Sequence, residues 1–329
     1  MEITQKAYAK INLTLDITGK RADGYHELRS VMQTIGLYDT VELGKAESGI
    51  RLEVVFEEGA ERGFSQVPTD EKNIAYRAAQ RLLEDAKSSG RIGGESTDAS
   101  DSGQTDHEIR PGVEIRLTKR IPAAAGLAGG STDAAAVLRG INELYGLGYT
   151  TERLCEIGAK LGADIPFCIV GGTALCEGIG DRMTKLSTPK GVHVLLAKPA
   201  INVSTPEAYR DFDSLPAEKV PAVDTDGMLM TLKKLANFEA FTDGAVIPDP
   251  SVHLTKHMGN VLATVTERRH ALIVELREAM LSAGAAGSMM SGSGPSVFGL
   301  FDSEDAAQAA LVKLQSKYPD VYMTVTEFV

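Results

Sequence analysis

The chain has 329 residues, enough for two domains or one large one. A net charge of −11 argues against broad contact with nucleic acid or an anionic membrane, so an anionic substrate must be held by local cations and backbone amides. The three cysteines, Cys155, Cys168 and Cys176, form no C-x-x-C pair; no stretch approaches about 18 apolar residues, and residues 1–17 carry no signal or transit pattern, so a cytoplasmic protein without a spanning helix is expected.

Residues 2–18 alternate and are rich in β-formers, as are 31–43 and 50–56, and each predicts strand. The spacing of Ile74, Ala78, Leu82 and Leu83 predicts a helix over 73–87, with Asn73 placed to cap it. Composition then changes. Residues 88–110 are mostly glycine, serine, threonine and acids, with Ile92 and Ile109 as the sizeable apolar side chains. Such a segment cannot bury enough surface to offset its chain entropy, and it reads as a mobile surface insertion. A strand over 113–118 leads into a run of small residues, and a helix over 131–145 leads out. A further helix over 151–161 is capped by Thr150 or Thr151 and stopped by Gly162. Residues 192–197 read as strand. Ser204-x-x-Glu207, with Pro206 early in the helix, is a capping-box start. Residues 266–283 read as one helix, 296–301 as strand, 304–316 as helix and 321–328 as a last strand. Strands and helices mixed without strict β-α-β alternation argue for an α+β fold.

The most informative stretch is 121–134, Ile-Pro-Ala-Ala-Ala-Gly-Leu-Ala-Gly-Gly-Ser-Thr-Asp-Ala. Small side chains admit close approach of the backbone, and the helix start offers unpaired N–H groups and a partial positive charge. Together they make an anion site suited to phosphate. It is not a Walker loop: Gly19-Lys20 is followed by Arg21 and Gly44-Lys45 by Ala46, and no G-x-G-x-x-G follows a strand. A second glycine-rich stretch, 287–296, precedes a strand. On the first strand, alternation puts Tyr8, Lys10 and Asn12 on one face. His253 and His257 are four apart, but no third ligand accompanies them, so no metal site is expected.

The run Pro122-x-Ala-Ala-Gly126-Leu127-x-Gly129-Gly130-Ser131-Thr132-Asp133 resembles the phosphate loop of the GHMP kinases, named for galactokinase, homoserine kinase, mevalonate kinase and phosphomevalonate kinase. Ala7-Tyr8-Ala9-Lys10-Ile11-Asn12-Leu13 and 287–296 match that family's other two motifs, in order. The wording is closest to the branch acting on 4-diphosphocytidyl-2-C-methyl-D-erythritol, in the non-mevalonate route to isoprenoid precursors. The resemblance implies an N-terminal domain of ribosomal-S5 type (1–168) and a C-terminal ferredoxin-like domain (169–329), with the active site between them.

It also implies roles. Pro122, Ala123, Ala124, Ala125, Gly126, Leu127, Ala128, Gly129, Gly130, Ser131 and Thr132 hold ATP, with the Ser131 and Thr132 hydroxyls free to bond phosphate or a magnesium ion that ATP carries. Lys119, just before the loop, lies near the adenine. Asp164, in Gly162-Ala163-Asp164-Ile165-Pro166, is the base facing the acceptor hydroxyl, and Lys10 pairs with it. Asn12, Gly292 and Ser293 contact the acceptor. In Asp23-Gly24-Tyr25-His26, a hairpin turn presents Tyr25 to stack on a cytosine face and His26 to bond its edge. Two alternatives stay open: another GHMP kinase, of homoserine or sugar type, and a non-enzymatic phosphate-ligand sensor. Tyr25-His26 and the extra loop glycine count against the first. Retention of both Lys10 and Asp164 counts against the second.

Overall fold

The computed structural model describes residues 1–57, 67–92, 111–241 and 249–329. Among them, strands form two sheets, one of eight strands and one of four, and the fold is α+β as expected.

The long strand β3 (His26–Ala46) is the spine of the first sheet. Along one side it pairs antiparallel with β1 (Ile3–Asn12), and its first residues form a hairpin with β2 (Thr14–Lys20). Its N-terminal half also pairs with β6 (Thr173–Gly178), which pairs with β7 (Arg182–Leu186). Its C-terminal half pairs with β5 (Gly112–Lys119), which runs parallel to β4 (Ile50–Phe56). Strands β6 and β7 therefore join this sheet from beyond residue 168. Against the sheet pack α1 (Ile74–Ser88) and α2 (Gly129–Leu144), followed by α3 (Thr151–Ala159) and α4 (Ile165–Val170). Helix α2 is alanine-rich because it is buried on nearly every side. A Cβ on its Gly140 would stand 2.1 Å from Leu43 Cδ1. Asn73 caps α1 through Ala75 N, and Thr150 caps α3 through Arg153 N, each worth about 1 kcal/mol.

The second sheet is built from β8 (His193–Lys198), β10 (Gly287–Met290), β11 (Val297–Phe301) and β12 (Tyr322–Glu327), with a short β9 (Gly259–Asn260) pairing instead with β2. Their spatial order is β10-β11-β8-β12, all antiparallel. With α9 (Ala271–Ser282) between β8 and β10, and α10 (Glu304–Lys317) between β11 and β12, this is the ferredoxin-like split β-α-β. Strand β8 reads as a continuous apolar run because both faces are covered. Val194 and Leu196 enter a core shared with Ile11, Leu13 and Val31 of the first sheet, while Leu195 and Ala197 enter a core closed by α9 and α10. That shared core binds the two sheets together.

The remaining helices are α5 (Thr205–Asp213), capped by Ser204 through Glu207 N as its capping-box start predicts, then α6 (Thr225–Phe241), α7 (Pro250–Thr255) and α8 (Ala263–Arg269). Two expectations are corrected. Residues 266–283 are two helices broken at His270 (φ −134°, ψ 83°). The run Glu267–His270 has no apolar side chain to hold a turn against the core, and α8 packs on α5 while α9 packs on β10 and β11. The start of the 88–110 segment also belongs to the folded body. Ser89 caps α1, the Arg91 guanidinium lies 4.6 Å from the Tyr149 ring centroid, and Ile92 packs on the first core. Residues 93–110 lie outside the described residues.

Candidate active site

Three distant segments meet at one cavity of about 370 Å³: the end of β1, the loop before α2, and the turn after β10. From β1, Lys10 and Asn12 open into it, both buried rather than on a solvated edge. Lys10 Nζ donates to Asn12 Oδ1 at 2.7 Å, and Asn12 Nδ2 donates to Ser30 Oγ at 2.9 Å. Tyr8 does not line the cavity. The β1–β3 register shifts between Tyr8 and Lys10, and the Tyr8 ring packs edge-on against Tyr38.

The loop from Pro122 to Ala128 is strained backbone with almost no side chain. Ala124, Gly126 and Ala128 all have positive φ, at 50°, 73° and 58°. Ala128 precedes α2 with no side-chain cap, so the first-turn amides of a 16-residue helix stay available. Residues Ala124–Gly126 and Ala128–Ser131 face the cavity. Two expected ATP contacts do not. Leu127 is buried in the shared core. Thr132 is buried, its hydroxyl donating to Tyr8 O at 2.7 Å and its N–H to Ala128 O at 2.9 Å, so of the two hydroxyls only that of Ser131 reaches the cavity. Alongside lies a second cavity of about 300 Å³, walled by Pro122, Ala123 and the start of α1 at Lys72, Asn73 and Ile74, and sharing Ala124, Gly129 and Gly130 with the first.

Lys119 touches that second cavity, but its ammonium is spoken for. It is buried between Asp133, at 2.6 Å, and Asp39, which it also contacts. Burial alone would lower its pKa; the charges of Asp133 and Asp39 outweigh that and raise it.

The second glycine-rich stretch backs onto the first. A Cβ on Gly126 would stand 2.3 Å from Ser291 O, and Ser291 Oγ donates to Gly126 O at 3.0 Å. Asn260 Nδ2 donates to Met290 O and Gly292 O, and Thr266 Oγ1 to Ser293 O, fixing the turn from β9 and α8. Gly292 and Ser293 line the cavity, and Ser293 Oγ is 2.7 Å from Thr205 Oγ1 at the start of α5.

Asp164 stands just before α4, at its N-cap position but making no side-chain cap bond. Its carboxylate is a third exposed, and Oδ2 lies 3.9 Å from Lys10 Nζ. It lines both the central cavity and a third of about 600 Å³, which reaches outward to Tyr25 and His26. The Asp23–Gly24 turn joins β2 to β3 as expected, with Gly24 at φ 89°. Tyr25 is 61% exposed. The His26 side chain is only 10% exposed; its Nε2 is 2.6 Å from Asp213 Oδ1, and its ring lies 4.8 Å from that of Tyr209. Tyr209 and Asp213 escaped the sequence reading. The capping box announces their helix, but not which face meets the hairpin. Burial, with the charge of Asp164 adding to it, pushes the Tyr209 phenol up.

Among the described residues, other chemistries find no site. Burial pushes the Cys155 thiol up to about 11 and that of Cys176 to about 12, so neither is an activated nucleophile. His257 lies beyond the end of α7 and pairs with Asp224 at 2.6 Å. Among the described residues, no three His, Cys, Asp or Glu group as a metal site. No helix among them is long and apolar enough to cross a membrane.

Comparison with known proteins agrees with this geometry. Residues 73–172 match the GHMP kinases N terminal domain and residues 253–320 the GHMP kinases C terminal region. A 4-diphosphocytidyl-2-C-methyl-D-erythritol kinase from Clostridium beijerinckii is 42% identical over 98% of this chain and 99% of its own. The crystal structure of a 4-(cytidine 5'-diphospho)-2C-methyl-D-erythritol kinase superposes with a TM-score of 0.71 at 29% identity, covering 99% of each chain. A homoserine kinase from Cytophaga hutchinsonii shares the fold, with a TM-score of 0.69 at 20% identity over 99% of this chain and 94% of its own.

Proposed function

This chain belongs to the GHMP kinase family of ATP-dependent small-molecule kinases, and on that premise we propose its acceptor and its chemistry. It transfers the γ-phosphoryl group of ATP to the 2-hydroxyl of 4-diphosphocytidyl-2-C-methyl-D-erythritol, in the non-mevalonate route to isoprenoid precursors. The observation that carries the reading is the convergence of a carboxylate, a cation and an anion-binding helix start on one cavity that continues to Tyr25 and His26.

ATP lies with its phosphates on Ala124–Gly126 and Ala128–Ser131, where backbone amides and the start of α2 favour negative charge. Its base enters the cavity beside Pro122, Ala123 and Ile74. The cytidine end of the acceptor lies against Tyr25, His26 and Tyr209, and its polyol reaches inward past Asn12, Gly292 and Ser293 to Asp164. The acceptor hydroxyl gives its proton to the Asp164 carboxylate. Its oxygen forms a bond to the γ-phosphorus as the bond to the bridging β-oxygen breaks, and ADP leaves. Lys10, held by Asn12, sets a positive charge beside the oxygen that loses its proton. Magnesium would arrive on ATP and neutralise phosphate charge; Ser131 and Asp164 offer the sparse oxygen set that fits an ion held mainly by phosphates and water. A cytosolic setting, which the unpaired state of all three cysteines supports, belongs to the same reading, and the domain division expected at residue 168 moves past β7, which lies in the first sheet.

The test is product identification after incubation with ATP, magnesium and the cytidine diphosphate substrate, beside homoserine and a sugar panel. The expected outcome is one ADP and one 2-phosphate per turnover with the cytidine substrate alone. Phosphorylation of homoserine or a sugar would move the protein to another branch of the family.

A further inference from the structure

The loop that faces ATP has little to brace it. Three of its residues carry positive φ, and most have no side chain beyond a methyl. Its two ends, however, meet in one buried network. At the entrance, Asp39 Oδ1 on β3 accepts hydrogen bonds from the N–H groups of Arg120 and Ile121, while Oδ2 accepts from Lys119. Beyond the exit, the same ammonium donates to Asp133 Oδ2, just past the first turn of α2.

The arrangement is costly. Two carboxyl groups share one ammonium in the buried core, and among the described residues Asp133 Oδ1 has no hydrogen-bond partner. Burial, only partly countered by Lys119 and reinforced by the charge of Asp39, holds the Asp133 carboxyl well above the usual carboxylate range. Such a network is weak evidence for stability, since apolar packing would serve that end better. Its position at both ends of one strained loop points to another role.

We propose that Asp39, Lys119 and Asp133 form a clasp that sets the geometry of the phosphate loop, and that Lys119 acts on ATP through the loop rather than by touching it. All three are positioning residues. The inference rests on the reading of this loop as the ATP site.

The test compares Asp133→Ala with Asp133→Asn. Asp133→Ala leaves Lys119 and Asp39 as a neutral pair, so no buried charge is left without a partner, but the tie to α2 is cut. ATP dissociation constants from calorimetry should rise about tenfold, the scale of one charge-assisted hydrogen bond, while the acceptor KM stays within about twofold. Asp133→Asn keeps an oxygen for Lys119 and should recover most of the lost affinity. Asp39→Asn should weaken ATP more than Asp133→Asn, because an amide has one acceptor oxygen for the two places Asp39 fills, and this pair decides the matter should Asp133→Ala not fold. Unchanged ATP affinity in Asp133→Ala, or an equal rise in the acceptor KM, overturns the clasp while leaving the kinase reading intact. Failure of the unaltered protein to bind ATP overturns both.

Discussion

At the loop end of the cavity, the surface offered to substrate is main chain: left-handed alanines, glycines and the uncapped amides of α2, backed by the turn after β10. At the hairpin end it is side chain: Tyr25 exposed at the tip, His26 held by Asp213 and resting on Tyr209. The two glycines at these ends show the difference. A Cβ on Gly126 would strike Ser291 O, whereas a Cβ on Gly24 would meet nothing within 4 Å. On the proposed reading, the first end is a close-packed mould for phosphate, which every kinase of this kind must hold. The second is an open turn that can change residues without disturbing the chemistry. Such a division lets one scaffold serve several acceptors, because positioning and electrostatics are separate from recognition.

The largest expected effect lies where the two ends meet. Asp164→Asn should lower kcat by roughly 10² to 10⁴, the range for a general base, with little change in ATP binding, since the proposed function puts ATP on the loop. Lys10→Met should lose a similar amount, and the double variant should lose less than the product of the two, as groups acting together are not additive. Steady-state kinetics at saturating substrates checks this, and near-normal turnover in Asp164→Asn would reduce that residue to a turn former.

Next is the glycine pair. Gly126→Ala should raise the ATP KM about tenfold or more, because left-handed strain of about 1–2 kcal/mol adds to a main-chain clash that cannot relax cheaply. Gly24→Ala carries the strain alone and should cost about 1 kcal/mol of stability, with the ATP KM unmoved. Similar kinetic effects at both sites would erase the contrast between mould and turn.

His26→Ala sharpens it from the other side. Loss of the Asp213 bond and the Tyr209 contact should raise the acceptor KM about tenfold and leave the ATP KM within about twofold. Parallel changes in both constants would remove cytidine recognition from the hairpin. The smallest effect is expected from replacing residues 93–110 with a short Gly-Ser linker. A segment whose composition cannot build a core is mainly an entropic burden, so turnover should stay within a few-fold, roughly the scale of loop-length effects. A loss beyond about a hundredfold, the scale of a catalytic group, would place those residues in the site.

Local patterns were legible wherever the physics is local. Asn73 and Ser204 cap the helices their spacing announces, because capping needs only neighbouring backbone. The strand over 192–197 and the helix over 304–316 appear with bounds close to those expected. The pair β6–β7 and helices α4, α6 and α7 were not read: Thr173–Leu186 mixes polar and apolar residues in no clean period, and its strands exist because β3 offers an unpaired edge. The helix expected over 266–283 divides because two partners, α5 and the second sheet, draw its halves apart.

Within the site, the loop from Pro122 was legible from small residues before a helix, whereas the roles of Lys10, Asp164 and Tyr25-His26 came through the resemblance to the GHMP kinases and not from residue types alone. Direction was not legible. Whether Thr132 faces phosphate or Tyr8 O, whether Leu127 lines a cavity or a core, and whether Lys119 reaches solvent or closes on Asp39 and Asp133 depend on tertiary partners: Asp39 is 80 residues from Lys119 and Tyr8 124 from Thr132, while Asp133 is 14 from Lys119. Composition and periodicity determine which groups are available and which elements carry them. Only the packing of β1, β3 and the second sheet around α2 decides where those groups point, because a buried polar side chain takes the orientation that satisfies it, and its partners are brought to it by the rest of the fold.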